Sequence, residues 1–155
     1  MSTQDEFFSL GEGDNYFDRN VDFYTTETEE NNLFTVLSNC ENFKPKRSLE
    51  IGCANGKKVS MIAERYNCES FGIDPSEKAI KDGKARFPNV RLSTGISSEL
   101  KFEDNFFDFV IIHFVLCWVD RKNLLKTYCE VDRVLQDGGH VLIADFEPTT
   151  FTKRH

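Results

Sequence analysis

A chain of 155 residues that is 39 % hydrophobic, with fifteen phenylalanines, is long enough for one domain with a real core and too apolar to be a disordered segment. Its net charge of −7, from 26 acidic and 19 basic residues, repels polyanions and disfavours nucleic acid as a partner. The longest apolar run, Phe109 to Val119, is too short to span a bilayer, and no basic stretch followed by an apolar one marks a secretory leader.

The five cysteines are Cys40, Cys53, Cys68, Cys117 and Cys129. None is spaced C-x-x-C, so neither a zinc site nor a redox pair has support, and no metal is expected. Cys53 and Cys117 lie in apolar strand patterns, where cysteine acts as a small buried hydrophobe. Reduced thiols fit a cytoplasmic protein. Lys44, Lys46 and Arg47 form a small basic cluster that reads as a solvated loop before a strand.

In chain order, residues 1–20 are mostly polar, with Phe7, Phe8, Leu10, Tyr16 and Phe17 scattered among Gly and Asp, and read as a loose arm or lid. Residues 25–40 have helical spacing, with Leu33, Val36, Leu37 and Cys40 on one face. Ser48 to Cys53 reads as a short strand. Asn55 to Tyr66 reads as a helix with Val59, Ile62, Ala63 and Tyr66 along its buried stripe. Ser70 to Ile73 is a second strand, Pro75 to Phe87 a second helix, and Val90 to Ser93 a third strand. Phe109 to Phe114 is a fourth strand whose near-continuous apolar character fits burial on both faces. Asp120 has the place of an N-cap for a helix from Arg121 to Leu135, with Leu124, Leu125, Tyr128, Val131 and Leu135 facing inward. Asp137-Gly138-Gly139 turns the chain into a fifth strand, His140 to Ala144.

Strands alternating with helices imply parallel pairing through right-handed crossovers. The expected fold is an α/β open doubly wound sheet of about five mostly parallel strands flanked by helices. The expected organisation is an arm or lid over 1–24 and one domain over 25–155, with its core at 47–146. In such sheets, ligands bind beyond the carboxyl ends of the strands.

The first strand runs into Leu49-Glu50-Ile51-Gly52-Cys53-Ala54-Asn55-Gly56. A glycine bend there lets backbone approach a ligand closely. A dinucleotide fingerprint starting at Gly52 needs glycine where Ala54 and Lys57 stand. A phosphate-binding P-loop needs glycine at Lys57, then Lys and Ser or Thr, where Lys58 and Val59 follow. What remains is acidic-x-Gly-x-small-x-Gly.

That pattern resembles the first motif of class I S-adenosylmethionine-dependent methyltransferases. The likeness continues through Phe71-Gly72-Ile73-Asp74-Pro75-Ser76, the loop Gly95 to Phe102, Asp104 to Asp108 before the fourth strand, and Gly138-Gly139 before the fifth. It covers about residues 47–146. The resemblance implies S-adenosyl-L-methionine as cofactor, with S-adenosyl-L-homocysteine as product. The implied cofactor site is Glu50, Gly52, Cys53, Ala54, Gly56, Asp74, Pro75, Ile96, Ser97 and His113. Asp74 would accept hydrogen bonds from both ribose hydroxyls, a task suited to two acceptor oxygens; Asp74-Pro75-Ser76-Glu77 also reads as a helix N-cap. Glu50 would order the amino-acid end, or face solvent from its strand. Ala54 stands where the family often has Gly, and Ile96 where an Asp often reads the adenine amino group, with Ser97 or a backbone carbonyl as its replacement. His113 is the one candidate base, against a reading in which its backbone contacts the cofactor and its ring packs.

The Asn/Asp-Pro-Pro-aromatic motif of amino-group nucleic-acid methyltransferases is absent after the fourth strand, where His113-Phe114-Val115-Leu116 stands. With the acidic charge, this favours a small-molecule or glycan acceptor. Tyr16, Phe17, Arg19, Phe23 and Tyr24 would serve as a lid, and Tyr16, Tyr24 and Trp118 as substrate-side residues. The family sheet carries two more strands than this chain, which stops at His155. An open apolar edge at Val141, Leu142 and Ile143, covered by a second copy in a homodimer, is one expectation. A cofactor-binding or scaffolding domain without turnover, and an NAD(P)-binding oxidoreductase domain, stand as alternatives to an active methyltransferase.

Overall fold

A computed structural model describes residues 4–25 and 31–146. The part of the expected first helix at 26–30, and residues 147–155 after the fifth strand, lie outside the described residues. Five strands form the sheet: β1 (Arg47–Ile51), β2 (Glu69–Asp74), β3 (Arg91–Thr94), β4 (Phe107–His113) and β5 (Leu135–Ala144). Their order is β3-β2-β1-β4-β5, and every neighbouring pair is parallel. Strand order therefore reverses between β1 and β4, which places a crevice at their carboxyl ends. The crossovers use α5 (Lys57–Tyr66), α6 (Glu77–Arg86) and α7 (Leu124–Val134). Before β1 come α1 (Gln4–Phe7), α2 (Gly13–Arg19), α3 (Val21–Thr25) and α4 (Asn31–Ser38).

The apolar run of β4 is covered on both sides, as its composition demands. Val110 and Ile112 join Leu49, Ile51, Ile73, Val131 and Val134 on one face. Phe109 and Ile111 join Leu33, Leu37 and Ile62 on the other. The side chains of β1 alternate in the same way. Leu49 and Ile51 enter the first cluster, whereas Ser48 and Glu50, at 0 % and 2 % exposure, are buried polar residues. The Ser48 hydroxyl is satisfied by Ser70 across the strand pair at 2.7 Å. A third cluster, with Val59, Ala63, Ile80 and Leu92, seats α5 and α6.

Several expectations need correction. On α7 the buried stripe is Thr127, Val131 and Val134, while Leu125 and Tyr128 are exposed. Two adjacent stripes of that helix are apolar, and packing against the sheet selects the one spaced i, i+4, i+7 from Thr127. Asp120 does not cap α7. Its Oδ1 accepts from the Lys122 N–H at 2.9 Å, closing a turn one stage earlier, and Asn123 has the N-cap position. The cap of α6 is Ser76, whose Oγ accepts from the Ala79 N–H, and not Asp74. Val36 is exposed on α4, and Cys40 is exposed beyond its end. Cys117 is exposed on a single 3₁₀ turn, Leu116–Trp118, because the apolar run leaves the sheet at His113. The pairing of β5 begins at Leu135 opposite Phe107, then shifts register before His140 meets Phe109. The Gly138-Gly139 segment is thus a bulge in a longer strand, with Gly138 at φ 76°.

No helix among the described residues is long and apolar enough to cross a membrane.

Candidate functional site

At the carboxyl end of β1 the chain bends at Gly52, with φ 72°. The N–H groups of Gly52 and Cys53 both donate to the Ile73 carbonyl, at 2.8 and 2.9 Å, and so bind the bend to β2. Ala54 follows at φ 48° and Gly56 at φ 81°. A side chain in the left-handed region carries roughly 1–2 kcal/mol of strain, which explains why the resembling family favours glycine at Ala54. The Ala54 N–H is also put to use, donating to Asp74 Oδ2 at 2.8 Å. Asp74 Oδ1 accepts from the Ser76 N–H at 2.9 Å. Each carboxylate oxygen offers two acceptor positions, and among the described residues each accepts one bond. Burial pushes the Asp74 carboxyl up to about 6, although those two N–H bonds oppose the shift.

Asp74 borders a cavity of about 420 Å³ at the carboxyl ends of β1, β2 and β4, within the range of small-molecule sites. Glu50, Gly52, Cys53, Ala54, Asp74 and Pro75 line its β1–β2 side. Ile96, Ser97 and His113 line it from the loop after β3 and the end of β4. The Ser97 hydroxyl lies 2.9 Å from that of Thr127, so the side chain is oriented by α7. Gly56 alone among the expected cofactor residues does not line the cavity. There a Cβ would meet Leu92 at 2.7 Å, so the missing side chain serves packing at the start of α5.

Tyr16, Tyr24 and Trp118, expected on the substrate side, also line the cavity. They belong to an aromatic roof built by the N-terminal arm together with the turn after β4. Trp118 meets the Phe8 and Tyr16 rings at centroid distances of 5.6 and 5.7 Å, and Phe17 stacks on Tyr24 at 5.7 Å. Phe23 meets Tyr24 edge-on, while Arg19 pairs with Glu12 at 2.6 Å and lies over the Tyr16 ring, 5.9 Å from its centroid, without lining the cavity. Asp14 anchors the arm beside the site, accepting from Ser76 Oγ at 2.7 Å and from the Lys78 N–H at 3.0 Å. Burial pushes the Tyr24 phenol up, with Tyr16 and Asp74 adding to the effect. Burial likewise pushes the Cys53 thiol well up, aided by Asp74 and Glu50. Both groups therefore stay protonated near neutrality, and Cys53 is not a nucleophile.

Among the lining residues that sequence reasoning did not place at the site are Phe8 and Lys58. Phe8 was scattered among polar residues with no periodic signal. Lys58 sits on the first turn of α5, and its Nζ lies 3.6 Å from Glu50 Oε1 and 2.7 Å from His113 Nδ1. Nothing local marks it, because its partners come from β1 and β4.

The methyltransferase domain family model matches residues 49–143. Among curated relatives, demethylmenaquinone methyltransferase of Geobacillus kaustophilus is 38 % identical over 117 residues, covering 70 % of this chain and 49 % of its own length. The enzyme of that name from Staphylococcus aureus is 35 % identical over 112 residues, covering 69 % of this chain and 46 % of its own. The chain thus spans just under half the length of the curated relatives it matches. Among solved structures, the PH0226 protein of Pyrococcus horikoshii superposes with a TM-score of 0.65 at 29 % identity, over 73 % of this chain and 54 % of that one. A TehB-like S-adenosylmethionine-dependent methyltransferase from Corynebacterium glutamicum superposes at 0.69 with 17 % identity, over 86 % and 72 %, a likeness of fold. The sheet order, the glycine bend joined to Asp74 and the span of the matched model agree: the chain belongs to the methyltransferase domain family.

Proposed function

We propose that this chain binds S-adenosylmethionine across the Gly52 bend and transfers its methyl group to a small acceptor carrying a flat apolar ring. The observation that carries the reading is the Asp74 carboxylate at the cavity wall, each of whose oxygens accepts one backbone N–H bond among the described residues. Two vicinal ribose hydroxyls suit that arrangement. Gly52 supports the fit, since a Cβ there would meet Val115 at 2.3 Å and narrow the cleft. Ile96 supplies an apolar wall for a purine face.

When bound, S-adenosylmethionine supplies a methyl carbon already activated by its positively charged sulfur. The chain's own work is then to bind and orient. Holding acceptor and methyl carbon in near-attack geometry contributes roughly 7–11 kcal/mol. Phe8, Tyr16 and Trp118 put apolar ring surface along the cavity for the acceptor to pack against. Tyr24 and Cys53, held protonated, do not compete for the methyl group.

The relatives' names point to demethylmenaquinone, and an aromatic roof suits a quinol-type ring. A glycan, the other acceptor class consistent with the sequence, is the second arm of the test. Calorimetric titration with S-adenosylhomocysteine and NAD comes first, and tight binding of NAD alone sinks the reading. Release of S-adenosylhomocysteine is then followed with quinol and glycan acceptors. Turnover with the quinol supports the assignment; turnover with glycans alone replaces the acceptor class; binding without turnover on any acceptor identifies a binding module.

β5 is the outer strand of the described sheet, with Val141 and Ile143 at 41 % and 48 % exposure. We propose pairing of two copies along that edge. A monomeric mass at micromolar concentration rules it out. The five free thiols suit a reducing compartment such as the cytoplasm.

A further inference from the structure

The nucleoside reading occupies the side of the cavity formed by β1, β2 and the loop after β3, where Gly52, Asp74 and Ile96 stand. Another part of the wall comes from the segments that follow β4 and β5. There Phe114 and Phe146 both line the cavity. Their rings meet at a centroid distance of 4.8 Å with a tilt of 45°. Phe114 is 43 % exposed and Phe146 69 %, so the pair keeps much of its surface uncovered by the protein. A fold gains little stability from apolar surface that it leaves in water.

The backbone of Phe114 is unusual as well. Its φ is 56°, in the left-handed region, where a bulky side chain is strained and a glycine would not be. Strain of this kind persists only where the surroundings hold it in place. Here the end of β5 does so. The Phe114 N–H donates to the Ala144 carbonyl at 2.8 Å. Three residues on, the Cys117 N–H donates to Asp145 Oδ2 at 3.2 Å. Asp145 Oδ1 accepts from the Phe146 N–H at 2.8 Å, so the residue that ties down the turn also orders Phe146. The chain thus keeps a strained phenylalanine, braced by a second one, at the cavity wall.

We propose that Phe114, braced by Phe146, receives the face of a flat ring on the methyl acceptor and so selects planar aromatic acceptors over puckered ones. Aromatic rings gain from stacked or edge-on pairing beyond the area they bury, and a saturated ring has no such face. Phe114 is a binding residue that decides specificity and takes no part in proton transfer. The proposal rests on the reading of the cavity as a nucleoside site, because that reading leaves the β4–β5 side for the acceptor.

The test uses the full chain saturated with S-adenosylhomocysteine and two probes followed by equilibrium dialysis. 2-Naphthol is flat; decahydro-2-naphthol has the same carbon skeleton and oxygen but is puckered. Phe114→Leu keeps an apolar side chain and removes the ring. It is expected to weaken 2-naphthol about fivefold, the scale of an aromatic pair, and to leave decahydro-2-naphthol and S-adenosylhomocysteine within about twofold. No loss for 2-naphthol, or an equal loss for both alcohols, overturns the proposal. Phe114→Gly removes ring and strain together. It is expected to lose 2-naphthol affinity to the same extent while its melting midpoint stays within about 4 °C of wild type. A larger fall marks the ring as a packing residue and overturns the assignment. Wild type alone also decides: binding the puckered alcohol as tightly as the flat one overturns the proposal even if neither variant folds. If wild type binds S-adenosylhomocysteine but not 2-naphthol, the nucleoside reading stands and the ring receptor falls. If it does not bind S-adenosylhomocysteine, the nucleoside reading itself falls and takes this proposal with it.

Discussion

The Cα of Gly83 on α6 lies against the carbonyl of Asn55, so close that a Cβ on Gly83 would stand 2.1 Å from that oxygen and 2.8 Å from its carbon. Next to it, Asn55 Nδ2 donates to Asp82 at 2.9 Å. The glycine bend therefore rests on α6 through backbone, which has no rotamer with which to move aside. Alanine at residue 83 would gain about 1 kcal/mol of helix propensity. The clash outweighs that gain, so Gly83→Ala is expected to destabilise the protein by about 2 kcal/mol net. A urea midpoint at or above that of wild type contradicts this contact.

Asp74 has a pH signature. Its folded carboxyl is raised to about 6 from an ordinary 3.8, so the native state takes up a proton that the unfolded chain does not between those values. For a raised acid, the favourable contribution is present below the unfolded pKa and lost as pH rises through the folded one. From pH 4 to pH 7 the ligand-free protein should lose about 2 kcal/mol at this residue. Asp74→Asn removes the titration and flattens that slope in denaturation curves. Ribose hydroxyls bond the charged form, so affinity for S-adenosylhomocysteine should fall between pH 7 and pH 5. Asp74→Ala should weaken it more than about tenfold at pH 7. Calorimetry at both pH values checks the pair; equal affinity in Asp74→Ala and wild type removes Asp74 from the site.

Arg133 ties the segment before β4 to α7. Its guanidinium donates to the Leu100 and Phe102 carbonyls and to Asp104, each at 2.8 Å, and to Glu130 at 2.9 Å. Glu130 in turn accepts from the Leu100 N–H at 2.7 Å. The planar fork suits several acceptors in one plane, so lysine is a poor replacement. Arg133→Met should cost about 2 kcal/mol of stability and speed amide exchange over residues 100–106, with Arg133→Lys close behind. Full recovery of the wild-type exchange pattern by lysine would show that charge alone matters there.

Polar bonds to α6 and ring contacts with Trp118 hold the arm, and Asp14 and Asp18 both reach α6, Asp18 through Lys78. Asp14→Ala removes the acceptor for Ser76 Oγ and the Lys78 N–H. Since the sheet does not depend on that contact, the melting midpoint should shift little. Proteolytic cleavage within residues 4–25 should accelerate about tenfold, the factor that corresponds to about 1.4 kcal/mol. Unchanged cleavage places the hold on the arm in the ring contacts of Trp118 and the Asp18–Lys78 pair instead.

Most of the α/β order is legible locally. The strand runs around Leu49, Ile73 and Val110, the helical spacing of Val59, Ile62 and Ala63, the bend at Gly52 and the acid closing β2 are patterns within a few residues, and short-range sterics and burial act on that scale. Other features depend on packing between distant segments. Leu125 and Tyr128 looked as fit for the interior of α7 as Val131, and only contact with the sheet separates the two stripes. The arm reads as loose until Asp14 meets Ser76, 62 residues on. Lys58 is an ordinary surface lysine by sequence; the strand order brings Glu50 and His113 to it, and their chemistry exists only in the assembled fold.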